Sequence, residues 1–268
     1  MVKITVITPS VRPELLPMVY KSLSRQTFTE WEWIIVVKNW EMIKEVLELF
    51  PKNMPNNVFM TGEPPKNEGD MYSLNKAWNK GFRHAKGELF VSIVDGLWFP
   101  PDTLEKLWDH YVSNPLSCIG GIGHQYDQME NGKPEHKVWS DPRVKPVTFY
   151  PISPLDLELC IASIPLQGIK DVGGIDERFD QFAALSEKEL CFRLKELGYQ
   201  FFIDQSIEYR AIQHPRLTKD WDERYQKGII YFNECIQEIK DGNRLTLPYL
   251  SSKVEENVVS EQEPVSHS

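Results

Sequence analysis

Paired cysteines, long apolar runs and a surplus of basic charge are what this sequence lacks. Its 268 residues include four cysteines, Cys118, Cys160, Cys191 and Cys235, and no two of them form a CxxC pair. Structural zinc sites use close-spaced pairs, so this spacing speaks against cysteine-bound metal, and scattered thiols fit a reducing compartment. No stretch approaches the roughly 18 apolar residues that cross a bilayer. The opening Met1–Ser10 carries a short, alternating apolar run with no small-residue cleavage site behind it, unlike a secretory signal. The expectation is a soluble, cytoplasmic protein without a transmembrane segment. Lys and Arg number 30 against 39 Asp and Glu, a formal charge of −9. That sign speaks against a broad nucleic-acid footprint, though not against a local basic groove. No Gly-rich loop bearing Lys or Arg follows the first apolar run, which counts against a nucleotidyltransferase.

What is present fits an ordinary globular α/β chain. Hydrophobic residues make up 41% and charged residues 26%, enough apolar material for a packed core. Lys3–Thr8, Trp33–Val37, Val58–Met60 and Leu89–Val94 read as strands, the second of the continuous apolar type that parallel sheets bury. Helices are expected from Pro13, over Glu41–Phe50, over Ser73–Ala85 with Gly87 as a left-handed cap, and from Pro101 to about Val112. This alternation predicts a mostly parallel, doubly wound sheet with helices on both faces. Later, Tyr126–Lys145 reads as a long polar loop, Glu187–Leu197 as a helix closed by Gly198, Gln200–Asp204 as a strand and Asp220–Lys240 as a last helix. Residues 251–268 read as a disordered tail. One domain over 1–250 is expected, with a regular half at 1–112 and a less regular half at 113–250.

Four blocks, in order, carry a family resemblance over roughly residues 3–215. They are Ile4-Thr-Val-Ile-Thr-Pro-Ser10 with Arg12-Pro-Glu-Leu-Leu16 and Ser22-Leu-Ser-Arg-Gln-Thr27; Asn75-Lys-Ala-Trp-Asn-Lys-Gly81 with Ala85-Lys-Gly-Glu88; Val94-Asp-Gly-Leu-Trp-Phe-Pro-Pro-Asp-Thr-Leu104; and Val172-Gly-Gly-Ile-Asp-Glu-Arg-Phe179 with Ser186-Glu-Lys-Glu-Leu-Cys-Phe-Arg-Leu194. The chain resembles the family 2 glycosyltransferases, which implies a GT-A fold of Rossmann-like character and a hexosyltransferase-type activity. It also implies a nucleotide-sugar donor, with a UDP-sugar favoured, bound by a nucleotide-sugar half at 1–112, and an acceptor half at 113–250.

The resemblance assigns roles. Thr8, Pro9, Ser10, Arg12, Lys38, Asn75, Asn79, Val94, Asp95 and Gly96 fall at the nucleotide and donor site. Lys38 stands where the family usually has an aspartate. Asp95 matches the family's acidic metal motif, but alone, where two or three acids are usual. Mn²⁺ or Mg²⁺ is the implied cofactor, with His214 as the candidate second ligand, and loss of metal dependence is the alternative. Gly173, Gly174, Asp176 and Trp139 would meet the donor sugar or the acceptor, the glycines by allowing close approach. Glu187 matches the general base of inverting members, at a helix start that favours its ionised form. The acceptor, whether glycan, lipid carrier, protein or modified nucleobase, is not written in the sequence. A degenerate sugar- or nucleotide-binding protein is the rival reading.

Overall fold

The computed structural model describes residues 1–50, 57–61, 73–182, 184–214 and 220–250. The tail expected at 251–268 lies outside them. Mostly apolar sequence builds the middle of the sheet: β1 (Ile4–Ser10) is buried at every position, and β2 (Trp31–Val37) at all but its first. Then follow α1 (Leu16–Leu23), α2 (Trp40–Leu49), β3 (Asn57–Thr61), α3 (Leu74–His84), β4 (Leu89–Ile93), β5 (Leu97–Trp98) and α4 (Thr103–Ser113). The second half holds β6 (Ser117–Glu130), β7 (Lys133–Ser140), β8 (Phe149–Pro151), β9 (Ile161–Pro165), α5 (Leu166–Asp171), α6 (Ser186–Glu196), β10 (Gln200–Ile212) and α7 (Trp221–Lys240). Among the described residues, no helix is long and apolar enough to cross a membrane.

The sheet runs β3-β2-β1-β4-β9-β6-β10-β5, with β7 on β6 and β8 on β10. Its first four strands are parallel, as the strand–helix alternation predicts. β9 then enters antiparallel to both β4 and β6, while β10 returns parallel to β6. The sheet is therefore mixed, and parallel chiefly in its first half. This architecture is compatible with a GT-A-like fold.

Alternation splits the core in two. Ile4 and Val6 of β1 join Trp33 and Ile35 of β2 against Leu16, Val19, Leu104 and Leu107. Ile7, Ile34 and Val36 point the other way, to Trp78, Phe82, Ile169 and Leu190. Helices thus cover both faces, and the strand ends between them are left to form cavities.

Three local expectations are corrected. The polar stretch from Tyr126 is not a loop: β6 and β7 pair as a hairpin that turns at Asn131 and Gly132, both left-handed at φ 52° and 72°. Gly87 is not a left-handed cap, since α3 ends at His84 with extended Ala85 behind it. A side chain at Gly87 would put its Cβ 2.6 Å from the Thr5 amide nitrogen, so glycine there admits the β1 backbone. The strand begun at Gln200 continues to Ile212, past Asp204, because its later residues keep pairing with β6.

After α7 the chain closes back over the domain. The Leu247 amide donates to the Val172 carbonyl (2.9 Å), Arg83 donates to the Tyr249 carbonyl (3.1 Å), and the Arg244 guanidinium enters between Asp176 and Glu189.

Candidate active site

Residues just past β1, β2 and β4 meet at the carboxyl ends of the parallel strands, where open α/β sheets bind ligands. Pro9, Ser10, Arg12, Val37, Lys38, Val94 and Asp95 line a cavity of about 200 Å³ there, with Leu74 of α3 and His214 beyond β10. Asp95 anchors it. Its Oδ2 accepts from the Ser10 hydroxyl at 2.9 Å, and its Oδ1 lies 3.9 Å from the Arg12 guanidinium. Burial raises the Asp95 carboxyl above the usual carboxylate range, while Ser10, Arg12 and His214 pull it back. Gly96, at φ +75°, makes the turn behind Asp95, and its carbonyl accepts from the Ile212 amide at 3.1 Å. It is outside the lining but fixes it. Among the described residues no group of three or more His, Cys, Asp or Glu gathers as a metal site. Asp95 and His214 are one carboxylate and one imidazole on a shared cavity. Magnesium sites are often completed by substrate phosphates around one or two carboxylates, and Asp95 offers one carboxylate here.

A second cavity of about 290 Å³ adjoins the first and shares Leu74 and Val94 with it. Glu187, Asp180, Glu158, Asn75, Trp78, Cys160 and Arg224 are on its wall. Glu187 sits in the first turn of α6, entered through Leu185 at φ 82°, and its carboxylate is 3.7 Å from the Lys188 ammonium. Asp180 accepts from the backbone amides of Asn75 (2.7 Å) and Lys76 (3.3 Å), capping α3 where Ser73 does not. Burial pushes its carboxyl up to about 6. The Asn75 Oδ1 is buried without a partner. Burial also lifts the Cys160 thiol to about 11, so it stays protonated at neutral pH.

Several residues expected to touch donor or acceptor make contacts within the fold or stand outside both cavities. The Thr8 hydroxyl accepts from the Trp33 indole at 2.9 Å, fully buried and off the cavity lining. The fully buried Asn79 carboxamide donates to the Ile175 carbonyl (2.8 Å) and accepts from its amide (2.9 Å). Gly173 and Gly174 are left-handed at φ 70° and 90°, but the chain's own C-terminal segment approaches them. A Cβ at Gly173 would lie 1.7 Å from the Leu247 carbonyl oxygen. Asp176 is fully buried; burial would raise its carboxyl, but hydrogen bonds from Arg178, Tyr231 and Tyr249 outweigh that and hold it at about 2. Trp139 stands exposed on β7, outside both cavities. Sequence reasoning missed Asp180, Glu158 and Arg224. They are brought in by the 3₁₀ turn Glu177–Gln181, the 3₁₀ turn before β9 and α7, and no periodicity marks such positions.

An α/β domain whose cavities open at the carboxyl ends of parallel strands belongs, by architecture, to the proteins that bind ligands at strand ends. The model of the family described as glycosyl transferase family 2 matches residues 5–155, more than half the chain, and the chain belongs to that family. Family membership implies a glycosyltransferase that uses a nucleotide-sugar donor and an acceptor. No curated protein matches the sequence.

Proposed function

We propose that the chain transfers a hexose from a nucleoside-diphosphate donor, with a UDP-sugar favoured, to a hydroxyl acceptor, with inversion at the anomeric carbon. The observation that carries this reading is the adjoining pair of cavities. One is floored by Asp95, the other carries Glu187, and Leu74 and Val94 belong to both. The nucleotide would occupy the strand-end cavity, with Arg12 and Lys38 near its phosphates and the sugar pointing towards the second cavity. Glu187 would take the proton from the acceptor hydroxyl as its oxygen attacks the anomeric carbon. The bond to the diphosphate breaks on the opposite face and its electrons leave with the phosphate. Mn²⁺ or Mg²⁺ held by Asp95 and His214 would neutralise that leaving charge.

The test is a thermal-shift series with UDP, GDP, dTDP and CMP, each with and without Mn²⁺. Selective stabilisation by one nucleotide supports the donor site through linkage, and a larger shift with metal supports the Asp95 role. A metal-independent shift discards the cation and keeps the transfer. No shift with any nucleotide favours a degenerate binding protein, the rival favoured by the lone carboxylate that Ser10 already engages. A modified DNA base as acceptor is disfavoured by the charge of −9, and absence of duplex binding at low salt removes it.

A further inference from the structure

Around one indole, away from both strand-end cavities, the chain gathers an unusual amount of positive charge. Trp98 of β5 has the Lys133 ammonium 4.5 Å from its ring centroid, the Arg210 guanidinium at 5.5 Å and the Arg25 guanidinium at 5.7 Å. Each alone is an ordinary cation–π contact. Together they set three like charges about a single ring. With Lys21 and the hairpin tip, Trp98, Arg25 and Lys133 wall a cavity of about 480 Å³ that shares no lining residue with the two cavities above.

Pinning the hairpin accounts for part of this and leaves a remainder. Lys21 donates to the Asn131 carbonyl (3.1 Å), and Arg210 donates to the Pro134 carbonyl and to Glu135, both at 3.0 Å. Those bonds hold the hairpin against the domain. Arg25 adds nothing to them: its Nε donates back to the Lys21 carbonyl in the last turn of α1, and among the described residues it pairs with no carboxylate. Lys133 has Glu135 only at 3.9 Å, and Arg210 already holds that carboxylate. Glu130 also lines the cavity. Glu135 lines it as well, so three cations, Lys21, Arg25 and Lys133, face two acids in a chain whose overall charge is −9. The turn is shaped to admit one of them. A Cβ at Gly132 would lie 2.9 Å from the Lys21 ammonium.

We infer that this cavity binds a phosphoryl group through Lys21, Arg25 and Lys133, with the Trp98 ring positioning Arg25 and Lys133, and Arg210 occupying Glu135. A phosphoryl group supplies up to two negative charges and three acceptor oxygens, which matches two ammonium groups and a guanidinium converging on one cavity. The source is a soluble polyphosphorylated ligand or the headgroup of an anionic lipid. The site does not depend on the transfer reaction proposed above.

Isothermal titration calorimetry with inorganic tripolyphosphate, at low salt and without divalent cation, tests the site. Vesicles of phosphatidylglycerol and of phosphatidylcholine, read by co-sedimentation, test the source. The Arg25→Gln/Lys133→Gln double variant is expected to bind about tenfold more weakly, a change of about 1.4 kcal/mol. Lys133→Arg keeps the charge and should keep the binding, which separates lost charge from a disturbed hairpin. Arg12→Gln, in the strand-end cavity, should leave this binding event in place. Tripolyphosphate binding without vesicle binding identifies a soluble ligand. Charge-dependent vesicle binding that the double variant loses identifies a headgroup. Unchanged binding in the double variant, or loss through Arg12→Gln alone, overturns the proposal, as does a wild-type chain that binds neither probe.

Discussion

Asp180 caps a helix 105 residues away in sequence, and the charge that does so is partly buried. Its unfolded carboxyl ionises near 3.8, its folded one at about 6. For an acid shifted upwards, the native state keeps a proton that the unfolded chain has already released. Stability is therefore highest below about pH 4 as far as this group is concerned, and it is lost as pH rises through 6. Asp180→Asn should remove that decline, a change on the order of 2 kcal/mol between pH 4 and pH 7. Urea unfolding at both pH values reads it, and an unchanged slope would place the wild-type proton elsewhere. Glu187 calls for a different experiment. Glu187→Gln keeps the size of the side chain and removes the base, so transfer should fall by two or more orders of magnitude, roughly the contribution of a general base, with nucleotide binding intact. Full activity in that variant would sink the assignment.

Two short segments show what was and was not legible at the level of elements. β1, β2 and β4 announce themselves as mostly apolar runs because both of their faces are buried. The β6–β7 hairpin did carry a local signal, Asn131-Gly132, the pair that left-handed two-residue turns prefer, but the polar residues around it read as loop. β6 is buried through His124 and exposed beyond Tyr126, so its outer part looks like surface chain. The glycines at 173 and 174 read as allowing a close approach, and both are left-handed, at φ 70° and 90°. What approaches Gly173 is Leu247, and what approaches Gly174 is Asn79 with Leu250 behind it, distant positions that no spacing rule reveals. Asp176 shows the same limit, since its partners Tyr231, Arg244 and Tyr249 come from α7 and the segment behind it. Arg244→Met would strip a cation from Asp176 and Glu189, both fully buried. Removing one partner from buried ion pairs costs about 3–5 kcal/mol, and Arg193, which still holds Glu189, should keep the loss near the lower figure. Equilibrium denaturation measures it. Gly173→Ala should cost at least the roughly 1–2 kcal/mol of a left-handed residue, and more because its Cβ cannot coexist with the Leu247 carbonyl.

Across the whole molecule, the family match and the proposed machinery divide unevenly. Residues 5–155 hold the strand-end cavity apart from His214, whereas Glu187, Asp180 and Arg224 of the second cavity lie beyond them. That later part is tied together by the C-terminal segment. Leu247 holds Val172, and Arg244 and Tyr249 hold Asp176. Asp176 starts the 3₁₀ turn that carries Asp180, and Asp180 caps α3, whose first turn lines both cavities. Loosening the segment should therefore be felt first in the second cavity, since β1, β2 and β4 hold the first one independently. A chain ending at Gly242 would leave Asp176 without the Arg244 and Tyr249 bonds and uncover the left-handed Gly173. Its thermal midpoint should fall by at least about 6 °C, the response to no less than the roughly 3 kcal/mol that losing Arg244 alone would cost, in a domain of this size. At a temperature where it is still folded, nucleotide-induced stabilisation should largely persist while sugar transfer is lost. If truncation abolished nucleotide binding and transfer together in a folded chain, the two cavities would not be separable and this mechanical link would be wrong. If both survived, the C-terminal segment would be a packing element with no hold on the site.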